Sequence, residues 1–219
     1  MVAVMGPSGS GKSTLLYSVS GMDKPTAGEV ILGDKDIAAL SDNELSEVRL
    51  KYMGFIFQQM HMLKNLTIAD NIVLPAYKLT NDKAKRKEID AYCNELMRKL
   101  DISDIAHNDI TEVSGGQLQR ACICRSMINN PKILFADEPT GALNKSASDD
   151  VMKQLTKINE EGTSIMLVTH DMKVAAKCTR ILYIVDGNIK GEISLGKLAD
   201  DEVKERQRKV SNWLYEMGW

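Results

Sequence analysis

Three features of the sequence predict an α/β fold with a parallel sheet, a phosphate-binding loop and an inserted α-helical subdomain. Short apolar runs of strand length alternate with helical stretches at both ends of the chain, the order that builds a buried parallel sheet. A glycine-rich loop, residues 6–13, joins the first such run to the first helix. Between residues 60 and 130 strand signals nearly vanish and helical periodicity takes over. The expected division is an α/β core at 1–58 and 131–195, a helical subdomain at 59–130 and a short tail at 196–219.

Taken in order, residues 2–5 (VAVM) form an apolar strand, and residues 12–20 a helix that Gly21 closes at its C′ position. Residues 28–33 (GEVILG) read as a second strand. Ser41 and Glu44 make an S-x-x-E capping box that opens a helix to about Leu50, and residues 54–57 (GFIF) are strand-like again. In the middle stretch Ile89, Tyr92, Cys93, Leu96, Met97 and Leu100 recur at helical spacing. The basic run Lys83, Lys85, Arg86 and Lys87 at the start of that helix reads as a solvated face. Buried-strand patterns return at 132–137 (KILFAD) and 164–169 (SIMLVT), with a helix near 148–161 between them. Residues 181–185 and 189–193 flank Asp186-Gly187-Asn188, a hairpin signal. In the charged tail Val203, Val210, Trp213, Leu214 and Met217 offer one apolar helical face.

Composition narrows the function classes. With 43% apolar and 26% charged residues in 219, the chain can bury a core and is not a disordered segment. Its 28 Lys plus Arg against 30 Asp plus Glu argue against a dedicated nucleic-acid binder, which carries a basic excess. No run approaches the ~18–20 apolar residues that span a bilayer, and the first residues show no signal-peptide pattern. Cys122 and Cys124 lie two apart on an expected helix, about 200° around it, and so cannot chelate together. All four cysteines read as reduced, structural thiols, and the expected compartment is the cytoplasm.

Three motifs carry chemistry. Gly6-Pro7-Ser8-Gly9-Ser10-Gly11-Lys12-Ser13 matches G-x-x-x-x-G-K-[ST] between a strand and a helix. Its glycines let backbone N–H groups turn onto phosphate oxygens, and the helix N-terminus adds positive partial charge. Lys12 would reach the β- and γ-phosphates, Thr14 would complete the cradle, and the Ser13 hydroxyl would ligate Mg²⁺. Residues 133–138 (ILFADE) form an apolar strand ending in two carboxylates. Asp137 suits the Mg²⁺ shell, and Glu138, poised on a water, is the candidate general base. Finally, Ser114-Gly115-Gly116-Gln117 opens a helix and makes a second anion cradle. If both cradles serve one nucleotide, two chains have to share it.

Together these residues resemble the ATP-binding subunits of ABC transporters over nearly the whole chain. Ser114-Gly115-Gly116-Gln117 matches their signature motif. Phe57-Gln58 looks like the Q-loop, which would put Gln58 on Mg²⁺ and the attacking water. Val168-Thr169-His170-Asp171 looks like the switch-histidine motif, which would put His170 on the γ-phosphate. Residues 135–143 (FADEPTGAL) are similar to the macrolide-exporter, lipoprotein-release and bacitracin-type peptide-resistance ATPases. The resemblance implies a RecA-like phosphate-loop core and Mg²⁺-dependent ATP hydrolysis by a homodimer that sandwiches ATP. It also implies a separately encoded membrane permease as partner, a place on the inner face of the cell membrane, and export of, or resistance to, antimicrobial peptides or lipid-like molecules.

Two departures qualify that resemblance. The family's D-loop aspartate is Asn144 here, which keeps shape but loses a charge. Family members also carry a longer segment before the phosphate loop, with strands of an antiparallel β-subdomain and an aromatic residue that stacks on adenine. Here the loop begins at Gly6, so a truncated N-terminal subdomain is expected. Two further readings share the motifs: a cell-division-type signalling ATPase on a non-transporting membrane partner, and a degenerate nucleotide binder.

Overall fold

The computed structural model describes residues 1–199 and 202–219. At its centre lies a six-stranded sheet of β1 (Val2–Met5), β4 (Met53–Ile56), β5 (Ile133–Asp137), β6 (Ser164–Val168), β7 (Arg180–Val185) and β8 (Asn188–Ser194), in the spatial order β4-β5-β6-β1-β7-β8. The pairs β4/β5, β5/β6, β6/β1 and β1/β7 are parallel, and only the edge hairpin β7/β8 is antiparallel. In that hairpin Asp186 and Gly187 both take positive φ, +48° and +74°, as a type I′ turn requires. Parallel strands are buried on both faces, so they read as continuous apolar runs: Ala3, Val4 and Met5 of β1 and Leu134, Phe135 and Ala136 of β5 are all core residues.

Helix α1 (Lys12–Val19) leaves the phosphate loop and packs against β5 and β6. Gly21, at φ +66°, donates to the Ser18 carbonyl while the Met22 N–H reaches the Tyr17 carbonyl, a Schellman stop as expected. The strand expected at 28–33 shrinks to β2 (Ile31–Leu32), which pairs only with β3 (Lys35–Asp36) in a separate two-stranded sheet. Gly28 and Gly33 bound it at φ +96° and +63°, conformations that turn the backbone out of an extended ladder. Ser41 then caps α2 (Asp42–Tyr52), with the Glu44 carboxylate 3.0 Å from the Ser41 N–H and 2.5 Å from its hydroxyl. Those two donors lower the Glu44 pKa.

Between β4 and β5 the longer elements are all helical: α3 (Ile68–Lys78), α4 (Lys83–Lys99) and α5 (Gly115–Met127), which pack on one another. On α4 the expected apolar stripe faces inward at Cys93, Leu96 and Met97, while Lys83, Lys85 and Lys87 are exposed. Arg86 departs from a purely solvated face by laying its guanidinium over the Tyr77 ring at 4.7 Å. Helix α5 also lies against β4 and against α6 (Lys145–Glu160). The start of α6 is earlier than the sequence suggested because Asn144 caps it, accepting a hydrogen bond from the Ala147 N–H at 3.0 Å.

After a short α7 (Met172–Ala175), the tail forms α8 (Val203–Glu216), whose Val210 and Leu214 are fully buried. It lies over β8 at Gly191, where a Cβ would come within 2.7 Å of Met217 Sδ and 3.2 Å of the Trp213 ring. Among the described residues no helix is long and apolar enough to cross a membrane. All four cysteines are buried, and burial pushes the Cys93 and Cys122 thiols up to about 11 and that of Cys178 to about 12.

Candidate nucleotide-binding and hydrolysis site

Four of the parallel strands deliver the predicted motifs to one edge of the sheet. The carboxyl end of β1 runs into the phosphate loop, that of β4 into Gln58, that of β5 into Asp137 and Glu138, and that of β6 into Thr169 and His170. Open α/β sheets bind ligands at this edge.

Close packing sets the shape of the loop. A Cβ on Gly6 would stand 2.1 Å from the Ile184 carbonyl oxygen and 2.7 Å from Ser10 Oγ, so no larger residue fits there without displacing the loop from β7. Gly9 and Gly11 take φ +79° and +95°. Lys12 Nζ folds back to donate to the Pro7 carbonyl at 2.8 Å, and the Gly187 N–H ties the Ser10 carbonyl to the β7/β8 turn at 2.9 Å. Pro7, Ser8, Gly9 and Thr14 are exposed around the mouth of the loop. Helix α1 has no side-chain cap and no acidic residue in its first turn, so its amides remain open to an anion. Ser10 Oγ is buried with no hydrogen-bond partner among the described residues.

Ser13 Oγ donates to Asp137 Oδ1 at 3.1 Å, and Tyr17 Oη donates to Asp137 Oδ2 at 2.9 Å. A hydroxyl beside a nearly buried carboxylate is a hard-oxygen donor set of the kind Mg²⁺ takes. Sequence reasoning passed over Tyr17. Its signal was the i, i+4 spacing from Ser13, which places both side chains on one face of α1. Burial, then the hydrogen bond to Asp137, raises the Tyr17 phenol to about 12, so it stays a proton donor.

Glu138 follows Asp137 at φ +46°, a left-handed conformation that non-glycine residues seldom adopt. It is held there by its N–H to the Val168 carbonyl and by the Gly141 N–H to its own carbonyl, both at 3.0 Å. Its Oε1 is 2.8 Å from His170 Nδ1, whereas its buried Oε2 has no hydrogen-bond partner among the described residues. Gly141 lies close to both Glu138 and Gln58: a Cβ there would sit 3.4 Å from the Glu138 Cβ and 3.8 Å from Gln58 Nε2. Glu138 and His170 open onto a cavity of about 330 Å³ that Thr140, Lys145, Asp149 and Lys177 also line.

The signature residues stand apart from the loop. Ser114 caps α5 and shares a reciprocal box with Gln117. Positions 115 and 116 face Leu143 and Ala147, with a Cβ on Gly116 only 3.1 Å from the Ala147 Cβ, and Gln119 Nε2 donates to the Pro139 carbonyl at 2.7 Å. Among the described residues no hydrogen bond joins 114–117 to the phosphate loop. The partners found for residues 114–117 are thus their own helix start and the Leu143 and Ala147 side chains.

This combination of fold and motifs defines a phosphate-loop ATPase cassette, and residues 1–141 match the ABC transporter family. The chain belongs to that family, as a cassette of the ATP-binding, ATP-hydrolysing class. It is 42% identical over 189 residues to the lipoprotein-releasing system ATP-binding protein LolD of Leptospira interrogans, covering 86% of this chain and 78% of that one. It is also 42% identical over 190 residues to the macrolide export ATP-binding/permease protein MacB of Bartonella henselae, of whose length it spans only 28%. Among solved structures, the dimeric, post-hydrolysis ATP-binding cassette MJ0796 bound to ADP and Pi superposes with a TM-score of 0.80 at 36% identity, covering 90% of this chain and 86% of that one. The subgroup read from residues 135–143 is thus borne out, as is the α/β class of the core.

Proposed function

We propose that this chain is the ATP-hydrolysing subunit of a membrane exporter of peptide or lipid-like molecules, working as a homodimer on the cytoplasmic face of a permease. The observation that carries the hydrolytic half is Glu138: a partly buried carboxylate with one oxygen anchored by His170 and the other without a hydrogen-bond partner among the described residues. The Glu138 carboxylate is the group that accepts the proton of the attacking water, and His170 holds one of its oxygens. The loop from Gly6 to Thr14 binds the triphosphate, with Lys12 swinging from the Pro7 carbonyl to the β- and γ-phosphates. Ser13 and Asp137, with Gln58, would hold Mg²⁺, whose chemistry is to neutralise charge on the transferring phosphoryl group.

The dimer follows from the separation of the two cradles: Ser114, Gly115, Gly116 and Gln117 of one chain cover the loop of the other. The dimeric state of the similar cassette MJ0796 supports that reading. The names of the similar proteins, a lipoprotein-releasing system for LolD and macrolide export for MacB, support export as the direction of transport. The permease fits a groove of about 370 Å³ between the core and the helical stretch 59–130, lined by Met53, Phe55, Phe57, His61 and Arg125. Phe57 in that groove adjoins Gln58 in the chain, so a permease loop seated there would sense the hydrolytic site.

Mutant mixing tests the shared site. Ser114→Arg puts a cation in the second cradle, and that chain should bind ATP yet turn over none. Lys12→Ala should fail alone as well. Mixed, the two should recover part of the turnover, because one composite site per mixed dimer is intact. Full activity of Ser114→Arg alone, or no recovery on mixing, contradicts a shared site.

A further inference from the structure

We propose that Tyr17 is a positioning residue that sets the Mg²⁺ affinity of the site by fixing the carboxylate of Asp137. This rests on the reading of Ser13 and Asp137 as metal ligands. The geometry distinguishes Tyr17 from a ring that merely fills space. The two oxygens of Asp137 take one donor each, Ser13 at 3.1 Å and Tyr17 at 2.9 Å, and both donors stand on α1 one turn apart. Two points on a rigid helix determine the plane of the carboxylate, and with it the direction of Oδ1 toward Ser13.

Helix α1 is itself held fast at this level. The Tyr17 carbonyl accepts the Met22 N–H at 2.8 Å, the Asp23 N–H at 3.1 Å and the Ser20 hydroxyl at 3.1 Å. The body of the helix rests on β5 and β6, the strands that carry Asp137 and lead to His170. Were Ser13 and Asp137 to hold Mg²⁺, their mutual hydrogen bond would be given up, and the phenol on Oδ2 would be the contact left to keep Asp137 from rotating. Groups that orient a metal ligand in this way contribute about 10–100-fold to metal affinity.

Tyr17→Phe removes the hydroxyl and keeps the ring. Binding of a fluorescent ATP analogue is measured with EDTA and then across a MgCl₂ titration, and Mn²⁺ binding is followed by electron paramagnetic resonance. The Mg²⁺ and Mn²⁺ concentrations for half-saturation should rise about 10–100-fold, while analogue affinity in EDTA stays within about twofold. Tyr17→Leu, which also lacks the hydroxyl, should show the same split and serves if the phenylalanine variant does not fold. Asp137→Asn separates the two levels of the argument. If it raises the metal requirement and the Tyr17 variants do not, the role of Tyr17 is overturned. If Asp137→Asn itself leaves the metal dependence unchanged, the metal-site reading falls and the proposal with it. An equal loss of analogue affinity in EDTA would mark Tyr17 as structural only, and would also overturn it.

Discussion

Replacing Gly6 by alanine tests the account of the phosphate loop most quantitatively. The added Cβ would stand 2.1 Å from the Ile184 carbonyl oxygen and 3.1 Å from its carbon, both backbone atoms of β7. Carbon and oxygen in ordinary contact stand about 3.3 Å apart, so loop or strand must give way by ~1 Å. Strand β7 is paired on both sides, with β1 and with β8, so it is the loop that moves. Overpacking of this kind costs about 1–3 kcal/mol, and a clash with backbone belongs at the upper end. At about 2–4 °C per kcal/mol for a chain of this size, Tm should fall by ~6–12 °C. Displacing the loop amides by ~1 Å should also weaken nucleotide binding by about 10–10²-fold, the worth of one hydrogen bond to a charged phosphate. Gly9→Ala is the internal comparison. Its Cβ would meet nothing within 4 Å, and only its φ of +79° is unfavourable, at about 1–2 kcal/mol. Calorimetry and titration of a fluorescent ATP analogue should rank wild type above Gly9→Ala above Gly6→Ala. A Gly6→Ala protein with wild-type Tm and affinity would refute the packing argument.

Two further outcomes follow from local contacts. Asn144→Asp should leave stability within ~0.5 kcal/mol because either side chain caps α6, whereas Asn144→Ala should lose about 1 kcal/mol, or ~2–4 °C in Tm; an unchanged melt for the alanine variant would remove the capping role. Burial and the raised pKa of Cys93, Cys122 and Cys178 predict that the native protein resists iodoacetamide at pH 8 while urea exposes all four thiols, and fast labelling of folded protein by mass spectrometry would contradict that burial.

What the sequence showed and what it hid separate along physical lines. The phosphate loop, the capping box at Ser41, the helix cap at Ser114 and the β7/β8 turn are local chemistry, decided by residues within a few positions of one another, and the structure reproduces them. The strand expected at 28–33 failed because its bounding glycines adopt turn conformations that an apolar pattern does not report. Glu138 was legible as a candidate base, but neither its φ of +46° nor its contact with His170, which stands 32 positions away, follows from local pattern. Tyr17 was hidden for the same reason, since its partner lies 120 positions along the chain. Arg206 on α8 is another such case: it is buried and donates to the carbonyls of Leu195, Gly196 and Lys197, although an arginine in a charged tail suggests a solvated one.

The central claim is that Glu138, with one oxygen anchored on His170, is the group that takes the proton from water in ATP hydrolysis. Steady-state phosphate release by Glu138→Gln against wild type, with ATP affinity measured on the same preparations, tests it most directly. The amide keeps shape and hydrogen bonding but loses basicity, so turnover should drop ~10²-fold or more while ATP binding is retained. Turnover close to that of the wild type would contradict the account.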